Sequence, residues 1–220
     1  EQYYDFNPDA AAEEDRSAAN EGEFAHEVAD WCIKNDISPL KPECKEHFAK
    51  INDCNYNLDE VIVNVEKYFG YVGSIMQKAG SYDRYLEVRV DFSEWVTDGF
   101  GTLDLGFVSK DSMYVFDLKY GRWKVHAHEN TQLMLYALGL YAQLSPAKQA
   151  NIRNFHLSIC QPRISYFGNY SIHKNELMDF GSYAREGSKL ALSKDPPLVP
   201  GVKQCKWCAA KSICPAVGDY

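Results

Sequence analysis

The sequence predicts an α/β fold built on a central sheet, and three observations carry that expectation. Two alternating runs flank the polar loop Ser109-Lys110-Asp111-Ser112, so 101–121 reads as a β-hairpin. Apolar stripes at helical spacing occupy 17–80 before it. A helix, two strands and a further helix follow it, between 129 and 192.

The register of the hairpin is the informative part. A symmetric closure sets Val108 against Met113, and counting back pairs Phe107 with Tyr114, Leu105 with Phe116 and Leu103 with Leu118, an apolar face. The opposite face carries Gly106 against Val115, Asp104 against Asp117, and Thr102 against Lys119. Opposed Cβ atoms in an antiparallel pair stand roughly 4.5 to 5.5 Å apart, so two facing aspartates repel. Either a divalent cation offsets that repulsion, with Lys119 beside it, or the face is a solvated charged surface.

Composition bounds the rest. With 220 residues and 45% hydrophobic content, the chain can bury one large core or a core with an appendage. Its 15 Tyr, 11 Phe and 4 Trp argue against disorder. A net charge of -8 gives no global pull toward nucleic acid, so DNA binding needs local basic patches or bound cations. No apolar run reaches the length of a membrane span and no signal peptide is visible, which points to an intracellular protein. The first residue, Glu1, points to a start inside a longer chain. Of the 7 cysteines, Cys32, Cys44, Cys54 and Cys160 are scattered, while Cys205, Cys208 and Cys214 cluster. Reduced thiols are expected, and the cluster suggests metal ligation over disulfides.

Taken in order, 1–15 is acidic and reads as a loop or short helix. Ala25, Val28, Ala29, Cys32 and Ile33 form the first helical stripe, with His26 beside it one turn after Gly22. A lone histidine on a helix is more often structural than a ligand, and Gly22 opens room for a close approach. A short helix is expected over 43–51. A longer one starts after the N-cap Asn57, buries Val61, Val65, Tyr68, Val72, Ile75 and Met76, and ends at Gly80. The first strand, 84–92, alternates Leu86, Val88 and Val90 with Glu87, Arg89 and Asp91, and Glu87 reads as solvated or salt-bridged. Beyond the hairpin, Arg122 and Lys124 flank Trp123 in a basic stretch that either holds a phosphate backbone or is a solvated loop. The helix 129–144 is expected to bury Leu135, Leu138 and Ala142, with Gln132 and Tyr136 one turn apart and aimed at the hairpin's end. Strands over 154–161 and 164–172 and a helix over 175–192 follow, and 194–201 reads as a Pro-rich linker. The expected units are an N-terminal helical region 1–80, a core 81–193 and a Cys-rich segment 194–220. In that segment, Cys205-Lys206-Trp207-Cys208 and Cys214 place three sulfurs at spacings that suit one metal or cluster, with three free cysteines as the alternative.

His26 in GEFAHEVAD, Asp104 in GTLD, Asp117 and Lys119 in DLK, Gln132 and Tyr136 in QLMLYA, and the cysteine run together resemble the RecB-like branch of the PD-(D/E)XK nuclease superfamily. The likeness is strongest to phage-encoded members, and extends to the CRISPR-associated RecB-like exonucleases and the AddB subunit. The resemblance implies a restriction-endonuclease-like core, a central mixed β-sheet flanked by helices. It implies a DNA nuclease, an exonuclease of recombination, repair or phage DNA processing, in the cytoplasm of a bacterial cell or a phage-infected host. His26, Asp104, Asp117 and the backbone carbonyl of Leu118 would hold magnesium or manganese. Lys119 would serve the attacking water or the phosphorane charge, and Gln132 and Tyr136 would orient substrate or the lysine. Cys205, Cys208 and Cys214 would join an early cysteine to hold a [4Fe-4S] cluster, with zinc as the alternative. Since no cysteine precedes His26, the fourth ligand lies before Glu1, or Cys32, Cys44, Cys54 or Cys160 substitutes, or no cluster forms. The competing function is a nucleic-acid-binding or partner-binding module that keeps the fold without turnover.

Overall fold

The computed structural model describes residues 17–206 and 208–219, so the expectation for 1–15 falls outside the described residues. Three helices come first: α1 (Ser17–Asn35), α2 (Pro42–Ala49) and α3 (Leu58–Ala79). Asn57 caps α3 by accepting from the Glu60 N–H at 3.2 Å, and Gly80 closes it at φ 73, a backbone region that glycine adopts without strain. The sheet strands are β1 (Asp83–Asp91), β2 (Phe100–Val108), β3 (Ser112–Leu118), β4 (Asn154–Gln161) and β5 (Tyr166–His173). Helices α4 (Thr131–Gln143) and α5 (Pro146–Asn151) cross over from β3 to β4, and α6 (Lys174–Ala191) follows β5. A short helix α7 (Val202–Cys205) opens the cysteine segment.

The five strands lie in sequence order; β3 and β4 are parallel and every other pair is antiparallel. The chain is therefore a mixed α/β protein with helices on both faces of one mixed sheet. On one face, Phe24, Val28, Phe48, Val61 and Tyr68 of α1–α3 pack with Leu105, Phe107, Phe116 and Leu118. On the other, Leu133, Ala137 and Leu140 of α4 pack with Leu103, Val115, Leu157 and Ile159, and Leu177 of α6 joins them. No helix among the described residues is long and apolar enough to cross a membrane.

Three expectations need correction. The hairpin register is as read for Val108–Met113, Phe107–Tyr114, Gly106–Val115 and Leu105–Phe116, but the ladder ends there. Asp104, Leu103 and Thr102 do not continue it, because Asp104 turns its carboxylate onto the Leu118 N–H at 2.7 Å. Alternation also breaks in β1 and β2: Leu86 and Leu105 face α1–α3, whereas Val90 and Leu103 face α4. Glu87, opposite Asp104 between the pairs Leu86–Leu105 and Val88–Leu103, has φ 48, and this kink exchanges the two faces. Lastly, α4 buries Leu133, Met134, Ala137, Leu138, Leu140 and Tyr141, while Ala142 is exposed and Leu135 only half-buried. Sandwiched between the sheet and α6, α4 is apolar nearly all round and gives no clean stripe.

Candidate active site

The break in the hairpin ladder is where the chemistry-bearing side chains meet. Because Ala25, Val28 and Ala29 bury one side of α1 against the sheet, His26 is held at the rim of that core, beside Asp104 in the middle of β2. Its Nδ1 lies 2.8 Å from the Gly22 carbonyl one turn back, and its Nε2 lies 3.3 Å from Asp104 Oδ2. Burial alone would lower the imidazole, but the Asp104 carboxylate and the Gly22 carbonyl outweigh it and raise the pKa to about 9. In this state His26 is an imidazolium donating at both nitrogens.

Asp117 is 2% exposed. Its Oδ1 takes the Lys119 ammonium at 2.9 Å, and its Oδ2 has no hydrogen-bond partner. Burial raises its pKa to about 6, Lys119 opposes that, and Asp104 adds to it. Lys119 also donates to Gln132 Oε1 at 3.2 Å, and Gln132 Nε2 donates to the Tyr136 hydroxyl at 3.0 Å. Gln132 and Tyr136 thus reach the lysine from one face of α4. Gly101 makes room for the relay, since a Cβ there would come within 2.5 Å of the Tyr136 ring.

The structure therefore brings together six of the residues singled out from sequence, His26, Asp104, Asp117, Lys119, Gln132 and Tyr136; Leu118 joins them through its N–H on Asp104, whereas the sequence singled out its carbonyl. Arg122 and Lys124 sit on the loop after β3, both exposed. Of the three clustered cysteines, Cys205 at the end of α7 receives the Gly201 N–H at 3.3 Å, Cys208 is exposed and Cys214 half-buried. Among the described residues, no group of three or more His, Cys, Asp or Glu side chains surrounds a common point as a metal site would. Of the cysteines considered as a fourth ligand, Cys32, Cys44 and Cys160 are buried in the α1–α3 core, and burial pushes all three thiols up, against the thiolate a metal requires.

Three further residues bear on the geometry around this centre. Asp30, one turn after His26 on α1, shares a hydrogen bond with Glu87, so that Glu87 is paired with a carboxyl and not with a cation. Burial and the Glu87 charge raise Asp30 to about 8, so one proton is held between the two carboxyls. The His26–Asp30 spacing of four was a readable signal. Gln161, wholly buried at the end of β4, accepts from the Val125 N–H at 2.7 Å and donates to the carbonyls of Gly121 and Trp123 at 3.1 and 2.9 Å. Arg163 pairs with Glu21 of α1 and Glu60 of α3. Neither Gln161 nor Arg163 carries a local pattern that announces such a role.

Fold and site together define a mixed α/β protein with a carboxylate, histidine and lysine centre at an opened hairpin. The chain belongs to the family described as DUF2800, protein of unknown function, whose profile matches residues 8–220. Among solved structures it is similar to the crystal structure of SSO0001, at 15% identity and a TM-score of 0.34 over 86% of this chain and 85% of that one.

Proposed function

We propose that the protein is a divalent-metal-dependent DNA nuclease of the RecB-like type, built on a restriction-endonuclease-like core and acting from DNA ends inside a bacterial or phage-infected cell. The observation that carries this reading is Asp117 Oδ2, a buried carboxylate oxygen with no partner, next to a second carboxylate and a histidine. A buried unpaired polar atom is costly, and a hard cation taken by oxygen and imidazole donors would satisfy it. The donor types suit magnesium or manganese: once His26 gives up its proton and its contact with Asp104, the imidazole, Asp104, Asp117 and the Leu118 carbonyl would hold the ion. When bound, such an ion activates water and offsets charge on the nonbridging phosphate oxygens.

The chain's own residues do the remainder. Lys119 uses two of its three N–H donors on Asp117 and Gln132, which leaves the third for the phosphoryl oxygen or the attacking water. The Tyr136–Gln132 pair fixes the lysine's direction, so its charge needs no rearrangement as the reaction proceeds. Hydrolysis adds water across one P–O bond and leaves a terminal phosphate and a hydroxyl. Cys205, Cys208 and Cys214 are proposed to serve the fold by holding an iron-sulfur cluster or zinc with a fourth ligand.

The test is cleavage of linear DNA with magnesium or manganese. Asp104→Ala and Lys119→Ala are each expected to lower the rate on the order of 100-fold or more, and covalently closed circles should be spared. Undiminished cleavage by either variant would remove the roles given to these residues. Manganese binding without cleavage of DNA in any form would point instead to the non-catalytic binding module.

A further inference from the structure

The loop after β3 has an unusual combination of rigidity and exposure. Trp123 is 85% exposed, the most exposed large apolar side chain among the described residues. Its backbone nonetheless is fixed: the buried Gln161 amide holds the Trp123 carbonyl, the Gly121 carbonyl and the Val125 N–H. A large apolar ring held out into solvent on an immobilised backbone loses little entropy when something covers it.

The chemistry around the ring indicates what covers it. Arg122 is exposed and makes no ion pair or hydrogen bond among the described residues. The Lys124 ammonium lies 4.3 Å from the centre of the Tyr166 ring, and the Lys206 ammonium lies 5.7 Å from the centre of the Trp123 ring. Two cation–ring pairs and the neighbouring Arg122 thus flank this loop on a chain whose net charge is -8. Aromatic faces interleaved with cations are the chemistry that binds unpaired nucleotides, with bases stacked on rings and phosphates on ammonium and guanidinium groups. An intact duplex offers its bases only as groove edges.

The loop is also close to the reaction centre. Trp123 follows Lys119 by four residues, so their Cα atoms lie within about 14 Å of one another. We infer that the 121–125 loop is a stacking platform for an unpaired nucleobase, with Trp123 covering the ring and Arg122 and Lys124 holding flanking phosphates, and that it selects a single strand or frayed end over an intact duplex. This rests on the nuclease reading only for the direction in which the bound strand runs, toward Lys119.

The experiment measures binding of a short fluorescein-labelled oligothymidylate and of a blunt duplex by anisotropy, in calcium so that turnover does not intervene. Trp123→Ala is expected to weaken the single strand on the order of 10-fold with little change for the duplex, and Trp123→Phe to recover most of the loss. Since the indole lies in solvent, thermal unfolding of both variants should match the parent protein. Unchanged oligothymidylate binding by Trp123→Ala, or an equal loss on both DNA forms, would overturn the inference. The two readings fail separately. Weakened binding by the variant in a protein that cleaves no DNA leaves the platform standing without the nuclease. Cleavage with unaltered binding does the reverse.

Discussion

At the scale of single residues, His26, Asp30 and Asp117 titrate in a common direction. Asp104 and the Gly22 carbonyl raise His26 to about 9 against burial, so its contribution to stability is complete below about 6.5 and lost as pH rises through about 9. Asp30 and Asp117 are raised by burial to about 8 and about 6, which means that ionising them costs the folded state more than the unfolded chain. Each therefore destabilises as pH climbs from the usual carboxylate range through its raised value. In the presence of a chelator, Asp30→Asn should be more stable than the parent protein near pH 9. The advantage should shrink and vanish toward about pH 4, where the parent's carboxyl is protonated in both states. Thermal unfolding of the pair across that range checks it, and a difference that does not vary with pH would show that Asp30 and Glu87 share no proton.

At the scale of elements, the end of β4 controls the loop beyond β3 through Gln161. Replacing it by leucine keeps the bulk but leaves the Val125 N–H and two carbonyls without their partner, a loss of about 1 to 3 kcal/mol. Gln161→Leu should make trypsin cut at Arg122 and Lys124 on the order of 10 times faster than in the parent, because the freed loop samples open conformations more often. Equal cutting rates would mean that the strand ends alone hold the loop. Such a contact spans 36 residues between amide and side chain, and no periodicity in the sequence encodes it. The elements themselves were legible: β4 is the strand expected over 154–161, and the α1 stripe from Ala25 to Ile33 is buried throughout. The hairpin was legible as far as Leu105 and Phe116, because up to there alternation alone sets the pairing. Beyond it the outcome depended on Glu87, a residue in a left-handed conformation that propensity disfavours, and on where Asp104 would find a donor. The site residues could be gathered from their motifs, whereas Asp30's proton partner required knowing that β1 kinks beside α1.

At the scale of the whole molecule, the centre depends on α1 staying in place against the sheet, and one side chain from the turn just after β4 helps to hold it there. Arg163 is 14% exposed, makes two bonds to Glu21 at 2.6 and 3.1 Å and one to Glu60 at 3.1 Å, and lies over the Tyr120 ring. Glu21 immediately precedes Gly22, whose carbonyl orients His26. Arg163 therefore clamps α1, α3 and the sheet at the histidine's own turn. Removing the guanidinium leaves two carboxylates, one of them mostly buried, without their counter-charge. A fully buried pair broken on one side costs about 3 to 5 kcal/mol, and Glu60 is open enough to water to reduce this. Arg163→Met should lower the unfolding free energy by about 2 kcal/mol in urea and, by loosening the turn that carries His26, weaken manganese binding as well. Arg163→Met with Glu21→Gln and Glu60→Gln together should recover most of the stability, since no unpaired charge then remains. A single variant as stable as the parent would show that the packing of Phe24, Val28 and Cys32 against the sheet holds α1 without help, and that the clamp plays no part in placing the histidine.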